Sequence, residues 1–260
     1  MSVIDTISWM KEKSNLLDIC ERLKVYFNDV SVVEIAKYLH MYGLYKNKQE
    51  TDSWIANMEK ANILAYIKGE ERKLKKEWNG PNIPIFILPS DETNRKINLD
   101  YKGRSGLAFK NKLFLFLSTS TEKKDIKSLF IHEYHHVCRL AEIKRKEKDF
   151  TIIDSVIMEG LAENAVREKL GESAVATWTN LYTDIQCERF YNRILKPNRE
   201  LTRNDHKFTQ IMFGTGFYPT MLGYALGYYI VREYMLKTGK NTKELLGSAS
   251  DIFLNSKKIE

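Results

Sequence analysis

The chain reads as an α+β protein with helices first, a small sheet in the middle and further helices after it. Three observations carry that reading. Apolar residues recur at three- and four-residue spacing in the first part, as at Leu17, Cys20, Leu23 and Phe27. Short β-rich runs follow, the most apolar being LFLFLS at 113–118. Helical spacing then returns, and it holds two histidines four residues apart, His132 and His136.

Residues 1–78 are expected to form an N-terminal helical region, with helices over 4–13, 16–27 and 31–45 and a long charged helix over 52–78. Asn28-Asp29 reads as a turn, and Ser31 with Glu34 three positions on reads as a capping box. Trp78-Asn79-Gly80-Pro81 is the strongest turn signal and marks the boundary to a second domain, 79–260. That domain starts with a strand over 83–88, closed by Pro89-Ser90-Asp91. A second strand is expected over 106–109, after a turn or edge bulge at 103–106. The third, over 113–118, is apolar on both alternations and is expected to be buried on both faces. Helices follow over 124–146, from Asp154 or Ser155 to Lys169 with Gly171 as the stop, over 173–194, and from Pro219 to Lys237 with Gly239 as the cap. His206 falls in a loop, and a short helix with a tail closes the chain.

A hydrophobic content of 43% and a charged content of 29% are those of an ordinary globular protein. The net charge of +7 is moderate, and its lysines lie in mixed-sign runs such as 68–77 and 144–149. Such runs make solvated faces and disfavour a nucleic-acid-binding role. The three cysteines are far apart and in no CxxC pattern, which fits reduced thiols in the cytoplasm. The first residues lack the basic start and apolar run of a signal peptide. Residues 208–231 carry no formal charge and are long enough to span a bilayer. Gly214, Gly216 and Pro219 interrupt them, while Gly223 and Gly227 suit close helix packing, so a buried helix is expected and no membrane span.

The chemistry centres on His132-Glu133-Tyr134-His135-His136. Histidines four apart on a helix lie about 40° apart, so both imidazoles reach one metal ion. Glu133, rotated one step away, is placed to act on water as a general base. Three of the chain's five histidines fall in this pentapeptide. His135 is read as packing or support, and His40 as packed or exposed. Two histidines leave a catalytic zinc one protein ligand short. The nearest candidates lie in DSVIMEGLAE, where Glu159 is flanked by apolar residues and Glu163 follows one turn later. Glu159 is the preferred ligand, with Glu163 hydrogen-bonding a ligating imidazole; Glu163 or Asp154 as the ligand stays open. Arg139 and Glu142 occupy positions where a metzincin needs glycine and histidine, which excludes that subclass.

HEYHH followed by EGLAE resembles the gluzincin-type metallopeptidases, and more closely the YjaZ-like family of bacterial predicted zinc-dependent proteases. The resemblance extends over about 83–231, including Leu88-Pro89, the segment near Gly106 and the late Gly223-Tyr224…Gly227-Tyr228 helix. It implies a zincin-like core, one Zn2+ and a peptide or protein substrate cut by an endo- or aminopeptidase. It supports Glu159 as the third zinc ligand, and it implies a tyrosine that stabilises the oxyanion. Tyr224 is the candidate for that role, with Tyr218, Tyr228 and His206 as rivals. Glu133 is expected to take a proton from a metal-activated water. The segment around Gly106–Phe109 is a candidate for pairing with an extended peptide. The competing reading is a catalytically silent protein of the same fold, acting as a regulatory or interaction module; intact Glu133 weighs against it.

Overall fold

The computed structural model describes residues 2–12, 15–46, 51–94 and 103–254. The chain divides into two compact units, 1–137 and 138–260.

In the first unit, helices α1 (Thr6–Glu12), α2 (Leu16–Leu23) and α3 (Val32–Met41) stand where the apolar spacing predicts them. The expected helix over 4–13 is shorter, and its last residue, 13, lies outside the described residues. The expected capping box is present: the Ser31 hydroxyl accepts from the Glu34 N–H and the Glu34 carboxylate accepts from the Ser31 N–H. The single long helix expected over 52–78 is two helices, α4 (Thr51–Lys60) and α5 (Ile63–Trp78). The break is Asn62, whose φ of 50° is left-handed. Asparagine tolerates that conformation where most residues do not, and an i, i+4 charge pattern gives no warning of it.

Strand β1 (Ile85–Pro89) pairs in parallel with β3 (Lys112–Leu117), and β2 (Arg104–Phe109) pairs antiparallel with the other side of β3. Among the described residues the order is β1-β3-β2, so β3 is central and β2 lies at an edge. All six residues of β3 are buried, as its double alternation requires. The turn or bulge expected at 103–106 is confined to Gly103, with φ 70°, because pairing with β3 already begins at Arg104. One sheet face carries Phe86, Phe114 and Phe116. Phe86 and Phe114 stack at 4.8 Å, and Trp9, Tyr26 and Phe27 pack on them from the N-terminal helices. Val3 adds a parallel bridge to Ile85, and the Trp54 indole donates to the Leu117 carbonyl at 2.9 Å. The helices before residue 78 are therefore bonded directly to the sheet.

Helix α6 (Lys123–Glu142) carries the histidine motif and contains the boundary between the units. The second unit adds α7 (Ile152–Leu170), α8 (Asp184–Phe190), α9 (His206–Phe213), α10 (Leu222–Thr238) and α11 (Asp251–Leu254). Its core joins Val156, Leu161, Ile211, Leu226, Ile230 and Phe253. Four expectations need correction here. The helix predicted over 173–194 is two short 3-10 turns, then α8, then a π-helical turn at Tyr191–Leu195. The helix over 124–146 stops at Glu142, ahead of the charged 144–149 run. His206 begins α9 instead of lying in a loop, following Asp205, whose carboxylate accepts from Thr202 N–H and O–H. Pro219 precedes α10 without opening it; Met221, at φ 53°, turns the chain into the helix. Among the described residues no helix is long and apolar enough to cross a membrane.

Candidate metal centre

Asp125 lies in the first turn of α6 and Arg139 in its last, both favourable to the helix dipole. The His132 and His136 rings are 4.6 Å apart between centroids and nearly perpendicular. His132 is half-buried and His136 buried. The i, i+4 spacing thus brings both imidazoles to one face, as the sequence implies. His135 points elsewhere: it is fully buried, edge-on to Trp78 at 5.2 Å. Tyr134 stacks beside the same indole, and its hydroxyl donates to the Pro81 carbonyl at 3.0 Å. The turn read from the sequence as a domain boundary is tied to the motif helix by this hydrogen bond.

Glu133 is only 8% exposed. Strand β2 passes over it at Gly106, so closely that a Cβ there would lie 2.3 Å from Glu133 Cγ. Nothing in the sequence pairs these two residues.

In the second unit, Glu159 projects from α7 and is half-buried. The helix starts at a capping box, with Thr151 N–H and O–H donating to Asp154 Oδ2 at 2.9 and 3.1 Å. Asp154 also takes a hydrogen bond from Ser250 and an ion pair from Arg145, at 2.8 and 3.0 Å. That carboxylate is occupied as a cap, which weighs against its reading as a ligand. Glu163 accepts from the Ala176 N–H at 2.6 Å. Ser155, one turn before Glu159, buries a hydroxyl that has no hydrogen-bond partner among the described residues. The residue after Glu159 is Gly160, which meets the backbone of α10 at Gly227.

One ligand atom from each of His132, His136 and Glu159 lies within 4.8 Å of the others. Two imidazole nitrogens and one carboxylate oxygen are a donor set that zinc accepts at bonds of about 2.0–2.2 Å. Donors around such an ion stand about 3.4 Å apart, against an observed spread within 4.8 Å. The residues fit the metal.

Tyr224 is half-buried on α10, with its ring against Trp178 and Phe213 at 5.4 and 5.6 Å. Of its rivals, Tyr228 donates its hydroxyl to Glu172 at 3.0 Å, and burial first, then Glu172, pushes its pKa up. His206 is exposed, and Tyr218 is half-buried. Three residues escaped sequence reasoning: Gly106, Ser155, and Arg139 in its structural part. Arg139 carried a signal as an arginine at an otherwise apolar helix position, and Gly106 one as a glycine inside a β segment.

A mostly helical α+β protein with a three-stranded sheet and a His-His-Glu cluster is consistent with the zincin-like class. The chain belongs to the family described as "Predicted Zn-dependent protease (DUF2268)", whose sequence model matches residues 63–255. It is 38% identical over 259 residues to "Uncharacterized protein YjaZ" of Bacillus subtilis (strain 168), covering 98% of this chain and 99% of that protein. It is 29% identical over 123 residues to "Uncharacterized protein YjfC" of the same organism, covering 42% of this chain and 40% of that one. No solved structure matches it significantly.

Proposed function

We propose that this protein is a gluzincin-like zinc peptidase in which His132, His136 and Glu159 hold one Zn2+ and Glu133 is the general base. The observation that carries the reading is the convergence of those three ligand atoms within 4.8 Å, from residues far apart in sequence. A zinc ion in such a set supplies Lewis acidity, polarising a carbonyl and acidifying water near neutral pH. Glu133 accepts the proton of the attacking water at its carboxylate and returns it to the leaving amine. The Tyr224 hydroxyl donates to the developing oxyanion; its ring packing against Trp178 and Phe213 restricts where that hydroxyl points. Glu163 orients a ligating imidazole with the capacity that Ala176 does not use. An extended peptide or protein segment binds along β2, whose outer side faces no strand among the described residues. The cytoplasmic setting rests on Cys20, Cys138 and Cys187, all buried thiols.

The test is elemental analysis of wild type, His136→Ala and Glu133→Gln, each then assayed on a peptide library. About one zinc per chain is expected in wild type and Glu133→Gln, with loss in His136→Ala and cleavage by wild type alone. Stoichiometric zinc without cleavage of any peptide would reject the peptidase, and no zinc in wild type would reject the metal centre.

A further inference from the structure

We propose that Gly106 is a positioning residue for Glu133, holding the carboxylate in its working direction by having no side chain; the catalytic part of this rests on the function proposed above. Strand β2 is registered on α6 by an ion pair between Arg104 and Asp125, at 3.1 Å, with both side chains largely buried. Side chains alternate along a strand, so 104, 106 and 108 share the face towards α6. The opposite face is accounted for separately: the Ser105 hydroxyl donates to the Tyr42 carbonyl, and Phe109 packs edge-on to Phe27. A slip of one residue would send Arg104 to the wrong side, so the register is fixed.

In that register Gly106 falls against Glu133. A Cβ added at Gly106 would lie 2.3 Å from Glu133 Cγ, 2.4 Å from Cδ and 2.5 Å from Oε1. All three are far inside van der Waals contact, so the carboxylate and a side chain at 106 exclude one another. The backbone offers no other reason for glycine. Gly106 is absent from the positive-φ glycines of the chain, which include its neighbour Gly103. Glycine inside a strand is unfavourable, having no side chain to pack and more freedom to lose. A residue that breaks its local preference with no backbone need is explained by what it faces, here the proposed general base.

The geometry also predicts what substitution does. Gly106 is not among the positive-φ glycines, so the first cost of alanine there is the clash with Glu133, which owns the three nearest atoms. The side chain of Glu133 must rotate away, or the strand must lift from α6. Either change displaces the carboxylate, while His132, His136 and Glu159 keep their places.

The experiment is a cycle of Gly106→Ala, Glu133→Ala and the double variant on the full chain, read by melting temperature, zinc content, and kcat and KM on the best library peptide. Gly106→Ala is expected to lower the melting temperature with Glu133 present and to leave it equal or higher with Glu133→Ala, where Cγ is gone. Zinc stays stoichiometric in Gly106→Ala, and kcat falls ~10–100-fold with KM little changed, as for a misplaced catalytic group. The same melting change in both backgrounds overturns the proposal, as does full kcat in Gly106→Ala. If Gly106→Ala alone does not fold, a double variant that folds supports the proposal and one that does not overturns it. A zinc-loaded wild type that cuts nothing sinks the peptidase reading, and the melting cycle then decides Gly106 by itself.

Discussion

Gly160 and Gly227 meet backbone to backbone. A Cβ on Gly160 would lie 2.1 Å from the Gly227 carbonyl oxygen, and one on Gly227 would lie 2.1 Å from that of Val156. Helices α7 and α10 therefore touch without side chains between them, beside Glu159. Asn164 closes the contact, its amide donating to the Gly160 and Tyr228 carbonyls at 2.8 and 3.1 Å. The glycine spacing that resembles a membrane motif is used here for packing inside one unit. Gly227→Ala is expected to destabilise by about 1–3 kcal/mol, through overpacking against rigid backbone. Urea unfolding measures it, with Gly69→Ala as the control: nothing lies within 4 Å of a Cβ there, and that variant is expected to be neutral or more stable.

Removing the metal tests the proposed centre from another side. A ligand held only by the folded state at about 100 times its Kd adds ~2.7 kcal/mol of stability. Chelation should therefore lower the melting temperature of wild type, and added zinc should restore it. His136→Ala should melt at the same temperature with and without chelator.

Arg139 is fully buried and donates to the carbonyls of Leu245, Leu246 and Ser248, at 3.3, 2.9 and 3.1 Å. Burial lowers its pKa to about 10, and Asp154 opposes that shift. Arg139→Met removes the donors and leaves buried carbonyls unmet, at a cost of ~1–3 kcal/mol. Faster amide hydrogen exchange over 245–250 is the expected sign, and unchanged protection there would refute the role.

Glu70 predicts a loss of stability in acid. Burial raises its pKa, but the hydrogen bonds and charges of Lys73 and Lys127, at 2.7 and 3.2 Å, outweigh it and the net shift is downward. The stabilisation is thus present above the ordinary value of 4.5 and is lost as pH falls through the lower folded pKa. Lys127→Met should flatten the decline of melting temperature below that pH; a parallel decline would exclude the pair as its source.

Cys20 is buried, and desolvation pushes its thiol up to about 12. At pH 8 the folded protein should leave this cysteine unmodified by a thiolate-directed reagent, and denaturant should expose it. Mass mapping of the alkylated peptides reads the result.

Periodicity and cap chemistry were enough to read α1 to α3, the burial of β3, the Ser31–Glu34 box and the Gly239 stop. Each depends on residues within a few positions of one another. Asn62, Met221 and the π turn at Tyr191–Leu195 were not legible, because a single left-handed or misregistered residue leaves no periodic trace. The motif helix and its two histidines were equally plain, since one helical turn sets their spacing.

By itself, then, the sequence determined the helix-borne histidine pair, the adjacent Glu133, and a following helix with carboxylates at 159 and 163. Those are facts of local geometry, in which side chains one turn apart must share a face. Only the tertiary structure decided that ligand atoms of His132, His136 and Glu159 lie within 4.8 Å of one another, and that Gly106 lies on Glu133. Such pairings join residues distant in the chain, and they depend on sheet order, strand register and backbone contact between helices. No local pattern encodes those, because they follow from how the elements pack.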